Sequence, residues 1–186
     1  MPDKRTDLTL EYILLGLLRE APRHGYALFQ ALSRDPALSR IWHVKRSKVY
    51  YLLDSLADRD LISFQVEHHA HQPDRKVFQV TDEGKEEFLS WMMSPVASGR
   101  HVRIGFLSRL HFALREGKDV ALQLLDEQIT RCRSWKANLE DQLAEHAAVD
   151  FITKYTFRFR IGQVEAMLSW LSSCKEAVRA GEPELE

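Results

Sequence analysis

The chain has 186 residues, enough for one large domain or two small ones, and its 45% hydrophobic content excludes an intrinsically disordered chain. A formal net charge of −1 excludes a uniformly basic surface, so affinity for a polyanion has to come from a local patch. Two distant cysteines, Cys132 and Cys174, read as free buried thiols, and with no signal-peptide pattern and no membrane-spanning run the expected location is the cytoplasm.

Leu8–Ala21 reads as a first helix, with Leu10, Ile13, Leu14, Leu17 and Leu18 on a broad apolar stripe that Pro22 ends. His24-Gly25-Tyr26 opens a second helix that runs to about Ser33, and a short segment with Leu38, Ile41 and Trp42 follows Pro36. Over Ser47–Arg59 the apolar residues Val49, Leu52, Leu53 and Leu56 fall at i, i+3, i+4 and i+7, so one face is built for a core. The other face carries Ser47, Tyr51, Asp54 and Ser55, with Lys48 and Tyr50 on its flanks. Ile62, Phe64 and Val66 alternate with polar residues, the period of a half-buried strand, and Lys76–Val80 is its partner across a polar wing loop at 68–75. Thr81 is an N-cap for the next helix, which carries Phe88, Leu89, Trp91 and Met92.

Ser94–Gly99 is small and proline-containing, which suits a linker and predicts two domains, 1–94 and 95–186. Everything beyond is helical in pattern. A helix from about His101 to Arg115 places Ile104, Leu107, Leu110, His111 and Leu114 on one stripe, with Gly117 as its C-cap and Asp119 as the next N-cap. Leu122, Leu125, Ile129, Cys132, Leu139 and Leu143 then recur at three- and four-residue spacing, a coiled-coil-like seam. Asp150 caps a last helix to about Gly181 that is apolar on several sides, with Phe159 and Leu168 among its members. Three helices of one chain can hardly cover it, so a partner subunit is expected, with Leu125, Ile129, Cys132, Leu139, Leu143, Phe159 and Leu168 as the dimerisation residues.

The expected fold is mainly α: an N-terminal winged helix-turn-helix of three to four helices plus a two-stranded wing, then an antiparallel helical dimerisation domain. Arg40, His43, Lys45, Arg46 and Lys48 lie within nine residues that contain no acid. Cations at a helix N-terminus oppose the macrodipole at about 0.3–1 kcal/mol each when exposed, so three together make sense where phosphates approach. Double-stranded DNA is therefore the expected partner, met by Lys45, Arg46, Ser47, Lys48, Tyr50 and Tyr51 in the major groove and by Arg75 and Lys76 of the wing. Gly25 and Tyr26 are placed to offer an amide and a hydroxyl to a phosphate, against an equally weighted reading of Tyr26 as a core aromatic. His68, His69 and His71 read as polar wing residues; a metal site would need converging ligands held by a second shell. Trp42, Trp91, Trp135 and Trp170 read as core or interface, with a flat aromatic ligand at the joint of the two domains as the minority reading. No phosphate loop, nucleophile elbow or zinc-protease motif is present, so neither an enzyme nor a cofactor is expected.

Leu14–Leu18, Pro22-Arg23-His24-Gly25-Tyr26, Val49-Tyr50 with Leu53 and Leu56, Leu61-Ile62, and Lys76–Val80 followed by Thr81-Asp82-Glu83-Gly84-Lys85 stand in the order and spacing of PadR-like transcriptional regulators. The chain resembles that family over residues 8 to about 93, and its helical remainder resembles the longer subfamily. The resemblance implies a homodimer, often a repressor, sometimes relieved by a small aromatic effector. Asp60 departs from the glycine usual before the Leu-Ile pair, and Lys45-Arg46-Ser47-Lys48 is more basic than the usual small residues. Two other readings stand beside it: a winged-helix module that binds protein, favoured by the near-zero charge, and a MarR-like DNA-binding regulator, which the C-terminal helices fit less well.

Overall fold

The computed structural model describes residues 4–69, 72–145 and 150–181. Among these residues eight helices and a small sheet follow in the order α1 (Lys4–Glu20), β1 (Arg23–His24), α2 (Gly25–Arg34), α3 (Leu38–Ile41), α4 (Arg46–Asp58), β2 (Ile62–His69), β3 (Gln72–Val80), α5 (Asp82–Met93), α6 (Leu107–Glu116), α7 (Lys118–Glu145) and α8 (Phe151–Ala180). A 3-10 turn at Gly99–His101 and a π turn at Val102–Phe106 precede α6. No helix among the described residues is long and apolar enough to cross a membrane.

By packing, the chain forms two compact units: one takes the residues up to Met93 together with Arg103–Phe112, the other takes Ser94–Val102 and everything from Ala113. The first is a winged helix-turn-helix. Leu10, Ile13, Leu14, Leu17, Leu28, Val49, Leu52, Leu53 and Leu56 are all at most 3% exposed, so the helical stripes of α1, α2 and α4 meet in one core. Phe112 and Phe88 close against Gly16, where a Cβ would come within 2.7 Å of both rings. Tyr12 stacks on Trp91 at 4.9 Å and donates to Glu87; burial and that bond push its phenol up to about 12.

The sheet is antiparallel in the order β1-β3-β2. The short β1 was not expected; two residues after Pro22 give no periodicity to detect. The wing is also a longer ladder than the 68–75 loop anticipated, since Glu67 pairs with Arg75 and His69 with Gln72 around a bulge. Ile62 and Phe78 are buried, but Phe64 and Val66 are 41% and 45% exposed, so the alternation in β2 marks a strand whose outer half has no core beneath it.

Two sequence features around the wing have local causes. Asp60 adopts φ 58°, the left-handed turn that a glycine makes at no steric cost. Thr81 Oγ1 donates to Asp60 O and accepts from the Gly84 amide, so it closes this turn and caps α5 at once. A side chain at 84 would meet Leu61 O at 2.1 Å, which is the reason for Thr-x-x-Gly.

The stripe expected on α6 keeps Leu110 but is otherwise displaced. Phe106, Ser108, Leu110, Phe112 and Ala113 are buried, whereas Ile104, Leu107 and Leu114 are half-buried. The π turn adds a residue per turn and shifts the phase of every side chain after it.

In the second unit α7 and α8 run antiparallel, because Lys118 Nζ bonds Arg179 O, Lys175 pairs with Asp126 and Lys136 pairs with Glu165 at 2.7 Å. Gly117, at φ 133°, separates α6 from α7, and Asp150 caps α8 by accepting from the Thr153 amide. The anticipated linker is partly held here: Val96 is buried and its amide donates to Gln128 Oε1 at 2.8 Å. Leu125, Ile129, Cys132 and Leu139 were expected at a seam between chains, yet each is at most 5% exposed within one chain. Leu143 and Leu168 are half-buried, and only Phe159 of that set stands out, at 67% exposure. One chain's own hairpin therefore uses the stripe read as intermolecular. The exposed apolar residues near the start of α8 are Phe151, Ile152, Tyr155 and Phe159, at i, i+1, i+4 and i+8, and Trp170 is exposed further along.

Candidate nucleic-acid interface

α4 is held from beneath and open on top. Its four inward residues, Val49, Leu52, Leu53 and Leu56, are at most 1% exposed. Ser55, read from the sequence as outward, turns in and donates to Glu11 Oε1, and Arg59 pairs with the same buried carboxylate at 3.2 Å. These contacts fix the helix about its axis and leave Lys45, Arg46, Ser47, Tyr50 and Tyr51 exposed.

The start of α4 differs from the starts of α2, α5 and α8. Asp150 caps α8, Thr81 caps α5, and His24 caps α2 by accepting from the Ala27 amide at Nδ1. At α4 the N-cap position is Lys45, which has no acceptor to offer and makes no capping bond. The first-turn amides of Arg46 and Ser47 therefore lie at the positive end of the helix beside three cations. Among the described residues neither Lys45 nor Arg46 is held in an ion pair. Lys48 is half-buried and lays its ammonium over the Tyr51 ring at 4.7 Å, which orders both side chains on the outer face. Such an end, with donors and cations but no acid, is chemically an anion receptor.

Gly25 is not open to solvent. A Cβ there would sit 2.7 Å from the Tyr50 ring, so the glycine exists to let Tyr50 lie across the start of α2. Tyr50 stays 42% exposed in that position. Tyr26 is 45% exposed and lies near His24 and Phe29, with ring centroids 6.5 and 6.4 Å away, which rules out a buried core role. Sequence reasoning placed His24 at the opening of this helix but missed its capping role.

On the wing, Arg75 and Lys76 are exposed, and Lys76 Nζ lies 4.1 Å over the exposed Phe64 ring. His68 Nδ1 is 2.9 Å from Asp74 Oδ2. His71 and the side chain of His69 lie outside the described residues.

The pattern of the transcriptional regulator PadR-like family matches residues 14–90, the stretch that contains α2, α4 and the wing. Over that stretch the chain resembles the PadR-like family. It is similar to the negative transcriptional regulator PadR of Bacillus subtilis (strain 168), at 25% identity over 131 residues, covering 70% of this chain and 71% of that protein. Solved structures of Bacillus subtilis PadR are also similar to it at 22% identity. The complex with operator DNA aligns with 89% of this chain and 97% of that one, at a TM-score of 0.46. The complex with p-coumaric acid aligns with 93% and 97%, at 0.41. The family that residues 14–90 match is one of transcriptional regulators.

Proposed function

We propose that this chain is a PadR-like transcriptional regulator that acts in the cytoplasm as a homodimeric repressor and reads a near-palindromic operator. One observation carries the reading: the uncapped, exposed and acid-free N-terminal end of α4. In the reading arrangement that end enters the major groove. Lys45, Arg46 and Lys48 meet phosphates, Ser47, Tyr50 and Tyr51 reach backbone or base edges, and Arg75 and Lys76 touch the flanking strand. Gly25 serves by seating Tyr50, and Tyr26 offers its hydroxyl. The repressor assignment is supported by the name of the negative regulator to which the chain is similar. A small aromatic effector completes the proposal as the family resemblance implies it.

The second copy joins through the α8 surface of Phe151, Ile152, Tyr155 and Phe159 rather than through the stripe of α7. Large aromatics left in water on one helix face are the usual core of an interface. The residues 1–94 serve DNA and the residues 95–186 serve assembly in this reading, with Arg103–Phe112 built into the DNA-binding unit.

Salt titration tests the DNA interface. Replacing Lys45, Arg46 or Lys48 by Ala lowers the slope of log K against log salt by about 0.9 for each phosphate that is no longer neutralised. An unchanged slope in an anisotropy titration removes that residue from the interface.

A further inference from the structure

α6 grips the helix-turn-helix at both ends of α3. At the C-terminal end, the indole Nε1–H of Trp42 donates to Ser108 Oγ at 3.0 Å. Trp42 is 8% exposed and Ser108 is fully buried. The Ser108 hydroxyl is itself oriented, because it donates to Ile104 O at 2.7 Å and so turns a lone pair toward the indole. At the N-terminal end, Asp35 Oδ1 accepts from the amides of Ala37 and Leu38, which shapes the entry to α3, and its Oδ2 lies 3.6 Å from His111 Nε2. Ser108 and His111 are three residues apart, hence on one face of α6. Only His43, Val44 and Lys45 separate Trp42 from the first residue of α4.

Resting on the DNA-binding reading above, we propose that Ser108 and Trp42, with His111 and Asp35 behind them, are positioning residues for operator reading. None of the four belongs to the proposed DNA face. Their work is to fix α3, and α3 fixes where the start of α4 lies. A short helix of four residues has little stiffness of its own, so its two ends need outside anchors. Small displacements of α4 degrade base reading more than phosphate binding, because base-edge bonds are directional while attraction to phosphate falls off slowly. Removal of the anchor therefore shows as weaker discrimination rather than weaker general affinity.

The test compares wild type, Ser108→Ala, Trp42→Phe and the double variant Trp42→Phe/Ser108→Ala. Each is titrated by fluorescence anisotropy against a duplex selected from a random pool and against a scrambled duplex, with thermal unfolding alongside. Ser108→Ala is expected to lower the ratio of selected to scrambled affinity about tenfold, within the usual range of coupling between sites. Scrambled-duplex affinity is expected to stay within about twofold, as the phosphate-binding side chains persist. The double variant removes the donor that Ser108→Ala leaves unsatisfied, so it regains thermal stability without regaining discrimination. Discrimination that returns together with stability, or a ratio unchanged in Ser108→Ala while wild type remains selective, overturns the proposal. Failure of wild type to bind any duplex is a different outcome: it overturns the DNA-binding reading and this inference with it.

Discussion

Asp60 stores strain that a single substitution releases. Its φ of 58° costs an L-residue, whereas Asp60→Gly removes that cost and keeps the bond from the Thr81 hydroxyl to Asp60 O. The variant is expected to be more stable by up to about 1 kcal/mol, the left-handed penalty less the extra unfolded-state freedom of glycine. Urea unfolding checks it through a raised midpoint at constant m-value, and a lowered midpoint contradicts it. At this scale the sequence was partly legible. Thr81 as a cap and the glycine replaced by Asp60 were visible from residue type and position. Gly25 was misread because its role lies in what it omits: the Tyr50 ring occupies the space of a Cβ, and no local pattern shows a neighbour 25 positions away. Ser55 was placed outward for a similar reason, since only the fold brings the Glu11 carboxylate under it. Burial pushes both cysteine thiols up, away from the reactive thiolate, although Cys174, expected buried, is only half-buried.

Helices and strands were legible wherever periodicity and a start or stop signal agreed. α4 and α8 fall within a residue of the expected bounds, because a terminating turn or a capping aspartate marks their ends. α6 was legible as a helix but not in its facing, because a π turn is a backbone irregularity without a residue signature. β2 showed its period but not how little of it is covered. The cap of α8 gives an acid-side prediction. The Asp150 carboxyl is held below the usual range, chiefly by the Thr153 hydroxyl and then by the Thr153 amide. A depressed folded value means that its contribution is present above the ordinary value of 3.8 and disappears as pH falls through the lower one. Asp150→Asn keeps a capping oxygen but cannot titrate. Helical circular dichroism of the wild type is thus expected to fall more steeply below pH 3.8 than that of Asp150→Asn. Parallel acid curves for the two proteins contradict the cap assignment.

At the scale of the whole molecule, the proposed function links assembly to DNA reading. The expectation of a partner subunit came from the excess apolar surface of the last helix, and that excess is real, but the residues first named for it are mostly consumed inside one chain. The pattern of a stripe cannot distinguish a hairpin partner from a second copy, because both bury the same kind of side chain. Phe159→Asp, placed on the exposed face of α8, is expected to yield a monomer in analytical ultracentrifugation and to weaken operator binding while leaving thermal unfolding of the N-terminal unit in place. A dimer that persists moves the interface elsewhere. In the proposed function, two copies of the basic α4 terminus read the major groove of one duplex. Selection of bound sequences from a random duplex pool tests it most directly. The expected result is enrichment of a near-palindrome whose half-sites are about 10 base pairs, one helical turn, apart. No enrichment, together with no retention of any duplex at low salt, would contradict it.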